Sequence, residues 1–325
     1  MKVKQMCMLV LLWLGVIPVM QAQTFDKLWK EVEQAEKKSL PQTVIKLTGE
    51  IYQKGEMEKN SPQMLKAYMW RMKYRDMLTP DSLYTGLPEL EQWAKQADKP
   101  MDRAILHSLI AGMYADYAAN NQWQLRQRTE IAGEAPSADM REWTANMFVE
   151  KVRTNVKEAM VDSVLLFNTS SRTYIPFVEL GETSEYYHHD MYHLLASRSI
   201  EALQRIQGLD RTTPIEAYSE ETSSEKESLV KQDIERIYDQ MLTSYKAKGD
   251  KEGCLLTSLN YLNWKHGTSK SFREPFRVKK GGTYMTFDPY ETGLDALKTE
   301  YKSLDLCAEV YLAQANNCLL YTSDA

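Results

Sequence analysis

The chain has 325 residues, 43% of them hydrophobic and 26% charged, which speaks against both a disordered tract and a bulk membrane protein and allows a core or a series of packed helical layers. Its formal net charge is -5, from acids and bases interspersed along the chain without a basic block to neutralise a run of phosphates, so nucleic acid is not an expected partner. With 14 Gly and 11 Pro against 17 Met and 19 Tyr, the composition suits long helices with adaptable apolar faces, and the expected class is all-α.

Lys2 and Lys4 form a short positive segment, Met6–Val19 is an apolar stretch broken by Pro18, and Met20-Gln21-Ala22 ends on a small residue. This is the pattern of a cleavable signal peptide over residues 1–22, with a mature chain from Gln23. The apolar run falls short of the roughly 20 residues that span a bilayer. Cys7 lies before that run, so the lipobox arrangement is missing, and export to the periplasm, the cell envelope or the outer surface is expected. Cleavage leaves Cys254, Cys307 and Cys318. An oxidising compartment permits a Cys254–Cys307 bridge, while their apolar helical contexts equally suit cysteine packed as a small hydrophobe.

Helix punctuation then repeats. Thr24 caps a first helix to Ser39 carrying Phe25, Leu28, Trp29, Val32 and Ala35, and Pro41 opens a second with Val44, Ile45, Leu47, Ile51 and Tyr52. Ser61-Pro62 reads as an N-cap and first helical position for a third helix to Thr79, Pro80-Asp81-Ser82 starts another to about Ala97, and Pro100 starts the next. Ser137 to about Phe167 reads as one long helix through Trp143, Met147, Val152 and Met160. Helix pairs in series predict an α-solenoid-like, TPR-like array over residues 23–208, without a strict tetratricopeptide consensus. Tyr174–Val178 is β-prone but carries Pro176 and reads as an extended connector, with a helix resuming near Ser184. Residues 209–226 form a polar linker or loop. The helical region continues over 227–317, interrupted at 266–290 by a loop in which Lys270, Arg273, Arg277, Lys279 and Lys280 mix with Phe272, Phe276 and Phe287 around Gly281-Gly282. Trp29, Trp70, Trp93, Trp123, Trp143 and Trp264 recur on apolar faces and are expected in the core.

One constellation imitates catalytic chemistry. In His188-His189-Asp190-Met191-Tyr192-His193, the residues His189 and His193 stand four apart, as the zinc-binding pair of HExxH does, and helical spacing would aim both imidazoles at one metal. The acid is Asp190, one methylene shorter than the Glu that reaches a zinc-bound water, and no third ligand pattern follows. Surface or packing histidines are therefore the expectation, with His189 and His193 as the metal candidates to be tested. No G-x-S-x-G elbow, P-loop or GxGxxG turn is present, and neither an enzymatic site nor a cofactor is expected.

Several blocks resemble the start of the very large α2-macroglobulin-like proteins of Bacteroides-type bacteria. They are the leader ending in Ala-Gln, Thr24-Phe25-Asp26-Lys27-Leu28-Trp29-Lys30-Glu31-Val32-Glu33, Lys38–Val44, Ser61–Tyr68, Asp190–Arg198, Leu255–Asn263 and Ala308-Glu309-Val310-Tyr311. The resemblance implies a helical N-terminal region joined to downstream β-sandwich, bait and thioester regions, the whole acting as a protease-trapping inhibitor. It also places His193 where an acid is usual. The Cys-x-Glu-Gln motif of covalent trapping is matched by none of Cys254, Cys307 and Cys318, so what is carried over is membership and not an active site. Residues 318–325 look like a translated sequencing adapter, and the chain is expected to be the N-terminal fragment of a longer protein. The implied partners are its downstream domains and, through the whole protein, proteases, with no small-molecule cofactor. Two other readings stay open: a free-standing helical-repeat adaptor for a peptide or protein, and a metal-dependent hydrolase using His189, Asp190 and His193.

Overall fold

The computed structural model describes residues 24–79, 82–128, 137–181, 184, 186–187, 189–210, 228–269, 272, 275–280 and 283–323. The signal-peptide reading at 1–22, Pro80-Asp81 and residues 211–227 of the polar stretch lie outside them. Among the described residues there are 13 α-helices and one two-stranded sheet, so the expected all-α class holds. None of these helices is long and apolar enough to cross a membrane. The described residues fall into two compact units divided between Leu83 and Tyr84, a position the sequence marks only as a helix restart.

The first unit is built from α1 (Phe25–Lys37), α2 (Pro41–Met57) and α3 (Ser61–Leu78). Thr24 caps α1 as expected, its side chain accepting from Lys27 N, and Pro41 opens α2. The cap of α3 falls one residue earlier than the sequence suggests: Asn60 accepts from Gln63 N, and Ser61 is the buried first helical residue. Leu28, Val32, Ala35, Val44, Ile51 and Ala67 form the core, with Trp29 and Trp70 packed edge-on at 6.0 Å beside it. Both turns share one geometry. Ser39 and Lys59 take left-handed φ values of 54°, which lets Leu40 N reach Ala35 O at 3.0 Å and Asn60 N reach Gly55 O at 2.8 Å, so carbonyls at the helix ends are satisfied. A Cβ on Gly55 would lie 2.8 Å from Met64 Cγ, so only glycine permits the close approach of α2 and α3 there.

The second unit contains α4 (Ser82–Gln96), α5 (Pro100–Asn120), α6 (Gln122–Gln127), α7 (Ala145–Ala159), α8 (Ser163–Asn168), α9 (Met191–Ile206), α10 (Leu229–Lys248), α11 (Lys251–Thr268), α12 (Pro289–Glu300) and α13 (Ala308–Ser323). Helix α5 is apolar on most sides and packs on both α7 and α9, while α9, α10, α11, α12 and α13 each pack on the next in sequence. Phe148 of α7 is fully buried against Tyr114, Tyr117 and Trp143.

Four expectations are corrected. The helix expected from Ser137 to Phe167 is broken, because the Trp143 indole donates to Ser137 O at 2.7 Å and holds 137–143 in a folded turn, and Asp162 caps α8 by accepting from Leu165 N at 2.9 Å. The loop expected at 266–290 contains regular structure: α11 runs on to Thr268, and β1 (Phe276–Lys280) pairs antiparallel with β2 (Thr283–Phe287), Phe276 opposite Phe287 and Val278 opposite Met285, while residues 270–271, 273–274 and 281–282 lie outside the described residues. Trp143 and Trp264 are buried, but Trp123 on the short α6 is 73% exposed. Finally, Tyr174–Val178 is not an extended connector: it follows a 3₁₀ turn at Ser171–Tyr174 and turns back on itself, Val178 N donating to Tyr174 O at 2.9 Å. The 3₁₀ turn buries Tyr174, whose hydroxyl donates to the buried Asp102 at 2.7 Å; burial and that carboxylate raise the phenol pKa. Removing the hydroxyl by Tyr174→Phe deprives Asp102 of this bond and is expected to cost about 1–3 kcal/mol in urea unfolding, whereas an unchanged midpoint would show that Asp102 does not depend on it.

Candidate functional site

The His-Asp segment is where sequence and structure differ most. Helix α9 begins only at Met191, so His189 lies outside it and the two imidazoles do not share a helical face. The cause is Asp190. Its Oδ1 accepts from His193 N at 2.8 Å as the N-cap, and its backbone bridges Ser170, with Ser171 N on His189 O at 2.8 Å and Met191 N on Thr169 O at 2.9 Å. The acid that resembles a general base is thus committed to ending a bridge and starting a helix. Its second oxygen takes Lys248 Nζ at 2.9 Å, and that ammonium also sits 4.7 Å from the centre of the Phe167 ring.

His193 points elsewhere. Its ring stacks on Tyr187 at 4.2 Å and its Nδ1 is hydrogen-bonded to the Tyr245 hydroxyl. Burial, followed by the charge of Asp190, raises the Tyr245 pKa, so this phenol is neutral at ordinary pH. Among the described residues, no group of three or more His, Cys, Asp or Glu side chains is placed to hold a metal ion. His188 lies outside those residues. Cys254 and Cys307 are both buried free thiols, and burial raises the Cys254 pKa.

His193 instead lines a cavity of about 660 Å³ between α9, α10 and α11. The α10–α11 turn sets two of its walls. Gly249 takes φ 70°, which allows Asp250 N to reach Tyr245 O at 3.0 Å, and Asp250 then caps α11 by accepting from Gly253 N at 2.9 Å. From α9 the cavity takes a single stripe at helical spacing, His193, Ser197, Ile200, Glu201, Gln204, followed by Gln207 in the next turn. From α11 it takes Thr257, Asn260, Asn263 and Trp264, and from α10 Tyr238 and Met241.

Aromatic rings fix the amides of this lining. The Trp264 indole donates to Gln207 Oε1 at 3.0 Å, and the Tyr290 hydroxyl donates to Asn263 Oδ1 at 2.8 Å. Trp264 is itself held in a stack with Tyr261 at 5.9 Å, and Tyr261 with Tyr238 at 4.8 Å. Asn260 and Gln204 complete the amide lining, and burial pushes the Tyr238 phenol up to about 12. The cavity therefore presents neutral phenols, side-chain amides and one carboxylate, Glu201, and none of its lining residues is a lysine or arginine. Such a set binds neutral or basic polar groups by hydrogen bonding.

No protein-family model matches this chain, and neither a curated protein nor a solved structure does. Of the residues singled out from sequence, the structure brings His193 to the cavity and leaves His189 apart from it. The amides were missed. Gln204 on α9 and Gln207 in the turn after it lie far in sequence from Asn260 and Asn263 on α11, and their only local signal is polar residues at spacing three on faces otherwise expected to be buried.

Proposed function

We propose that this chain is a non-catalytic helical scaffold forming the N-terminal part of an exported α2-macroglobulin-like protein, where it works by protein–protein contact while the whole polypeptide traps proteases. The observation that supports a scaffold is the succession of helical hairpins closed by one kind of turn, at Ser39, Lys59 and Gly249, each with a left-handed residue and a backbone bond reaching back five residues. Within the second unit, the packing of α9 to α13 each on the next is the contact pattern of a stacked array, so helix pairs arranged as an α-solenoid fit that part of the chain. Membership of the macroglobulin-like group rests on the sequence blocks at Thr24–Glu33, Lys38–Val44, Ser61–Tyr68 and Asp190–Arg198.

Recovering the gene past Asn317 from source DNA with long reads tests the reading. The expected frame continues for on the order of a thousand residues with β-rich repeats, and a Cys-x-Glu-Gln there would specify covalent trapping. A stop codon near Ala325 would remove protease inhibition. It would leave the second reading, a free-standing adaptor, which the amide-lined cavity between α9, α10 and α11 favours independently.

A further inference from the structure

We propose that strand β1 of the β1–β2 hairpin is a docking edge, and that its occupant is an extended segment of a partner polypeptide in which acidic and apolar residues alternate, added as a third strand. This rests on the scaffold reading only for its claim that the chain works by protein contact. The hairpin is an incomplete sheet. Among the described residues it has two strands and no third, and its packing is chiefly between those two. Phe276 is 46% exposed, Val278 40% and Phe287 39%, although the two phenyl rings meet across the pair at 5.2 Å. A hairpin standing alone in water is marginally stable, and a third strand beside an apolar face is one of the additions that makes such a unit hold. An antiparallel pair uses the N–H and C=O of alternate residues, so half of those of β1 point away from β2, along the edge that a third strand takes.

The register decides the chemistry of that strand. Side chains alternate along β1, with Phe276 and Val278 on one face and Arg277 and Lys279 on the other, and all four are exposed. A strand laid beside β1 sets its own side chains about 4.5–5.5 Å from these, residue by residue. Opposite charges in such pairs are favourable and like charges are not, so the neighbours of Arg277 and Lys279 are acidic and those of Phe276 and Val278 apolar. Neither strand of the hairpin contains an acid: Phe276–Lys280 carries one Arg and two Lys, and Thr283–Phe287 carries no charge.

The same arrangement disfavours the other occupants of a basic, aromatic edge. A second copy pairing through β1 would set its basic side chains against those of the first, and lysine on an edge strand guards against such self-pairing. An anionic membrane would need the phenyl face inserted and the basic side chains beside the lipid phosphates. Here the two sets leave opposite faces of a ribbon, so burying one turns the other away. A polypeptide strand beside the edge reaches both faces at once.

Fluorescence anisotropy of the full chain with labelled synthetic peptides tests this. The peptide Thr-Glu-Val-Glu-Val-Glu-Thr should bind saturably, and its counterpart with Lys in place of Glu should not. A scrambled peptide with its acids contiguous should bind about tenfold more weakly, having lost the alternation. Of two acidic peptides N-methylated at opposite sets of alternate residues, one should lose binding and the other keep it, as pairing along a single edge requires. Arg277 and Lys279 are exposed, so the double variant Arg277→Glu, Lys279→Glu should keep the parent's helical circular dichroism and reverse the preference, taking the lysine peptide about tenfold more tightly than the acidic one. The proposal is overturned by no saturable binding of the acidic peptide, or by equal binding of the acidic and scrambled peptides. Equal effects of the two N-methylation patterns overturn it too, since charge attraction would then act without strand addition. So would displacement of the peptide by phosphatidylglycerol vesicles, or a dimer in sedimentation that the double variant dissolves, which would assign the edge to a membrane or to a second copy. None of these outcomes bears on whether the reading frame continues, so the two readings fail separately.

Discussion

Asp190→Ala is expected to destabilise the second unit by about 3 kcal/mol, because one carboxylate performs two separable tasks. Its Oδ1 caps α9, a contribution of about 1 kcal/mol in typical helices, and its Oδ2 pairs with Lys248, where a hydrogen bond between charged groups contributes about 1.5–3 kcal/mol. Asp190 is buried, and Lys248 is held over Phe167, so removing the acid leaves the ammonium against an aromatic ring without its anion. Asp190→Asn separates the two tasks. Its side-chain oxygen keeps the cap while the ion pair is lost, so it should fall about 2 kcal/mol below the parent and about 1 kcal/mol above the alanine variant. Urea denaturation of the three proteins measures this. Equal midpoints for parent and Asp190→Ala would sink the assignment, and equal loss in both variants would confine the effect to the ion pair. The same experiment bears on the zinc imitation, since a metal-dependent hydrolase would lose activity and keep stability.

That segment also shows what kind of information a sequence carries. Thr24, Pro41, Pro100 and Gly249 announce helix ends because capping is a local matter of one side chain or one backbone angle. The HDxxH spacing misleads because it presumes that both histidines are already helical. Asp190 is as good an N-cap as it is a general base, and the bridge to Ser170, twenty residues back, decides between them. Likewise the hairpin of β1 and β2 alternates Phe276, Val278 with Arg277, Lys279 around Gly281-Gly282, a period-two signal readable in principle and masked by its brevity and its basic residues. The long helix expected at Ser137–Phe167 fails for a tertiary reason, the indole of Trp143 turning back on Ser137. Exposure of Trp123 goes with the shortness of α6, whose six residues bury Leu125 and leave the indole without a covering layer among the described residues. The cavity depends on α9 and α11 flanking α10, a relation between segments more than fifty residues apart, so its amides look like ordinary polar faces until the helices are packed.

Raising the pH should unfold the second unit cooperatively before pH reaches about 12, the largest single effect expected here. An unfolded tyrosine ionises near pH 10. Burial holds Tyr192 and Tyr238 up to about 12 and raises Tyr114, Tyr174, Tyr245 and Tyr301 as well. Between the two values the unfolded chain binds fewer protons than the folded one, so stability falls as pH rises; the contribution of these phenols is whole below about pH 10 and is lost as pH climbs through their folded values. A shift of two units is about 2–3 kcal/mol, so Tyr192 and Tyr238 together reach about 5 kcal/mol, the lower end of what typically holds a domain together. The other four add to this in the same direction. Phenolate absorbance and helical circular dichroism, followed together from pH 8 to 12, should therefore show exposed tyrosines titrating first and the buried ones ionising in one step with loss of helix. Tyr238→Phe removes one titrating phenol and should make the alkaline transition shallower. Complete ionisation near pH 10 with the helical signal intact would mean that these rings are not buried as described, and the stack of Tyr238, Tyr261 and Trp264 that positions the cavity would fall with them.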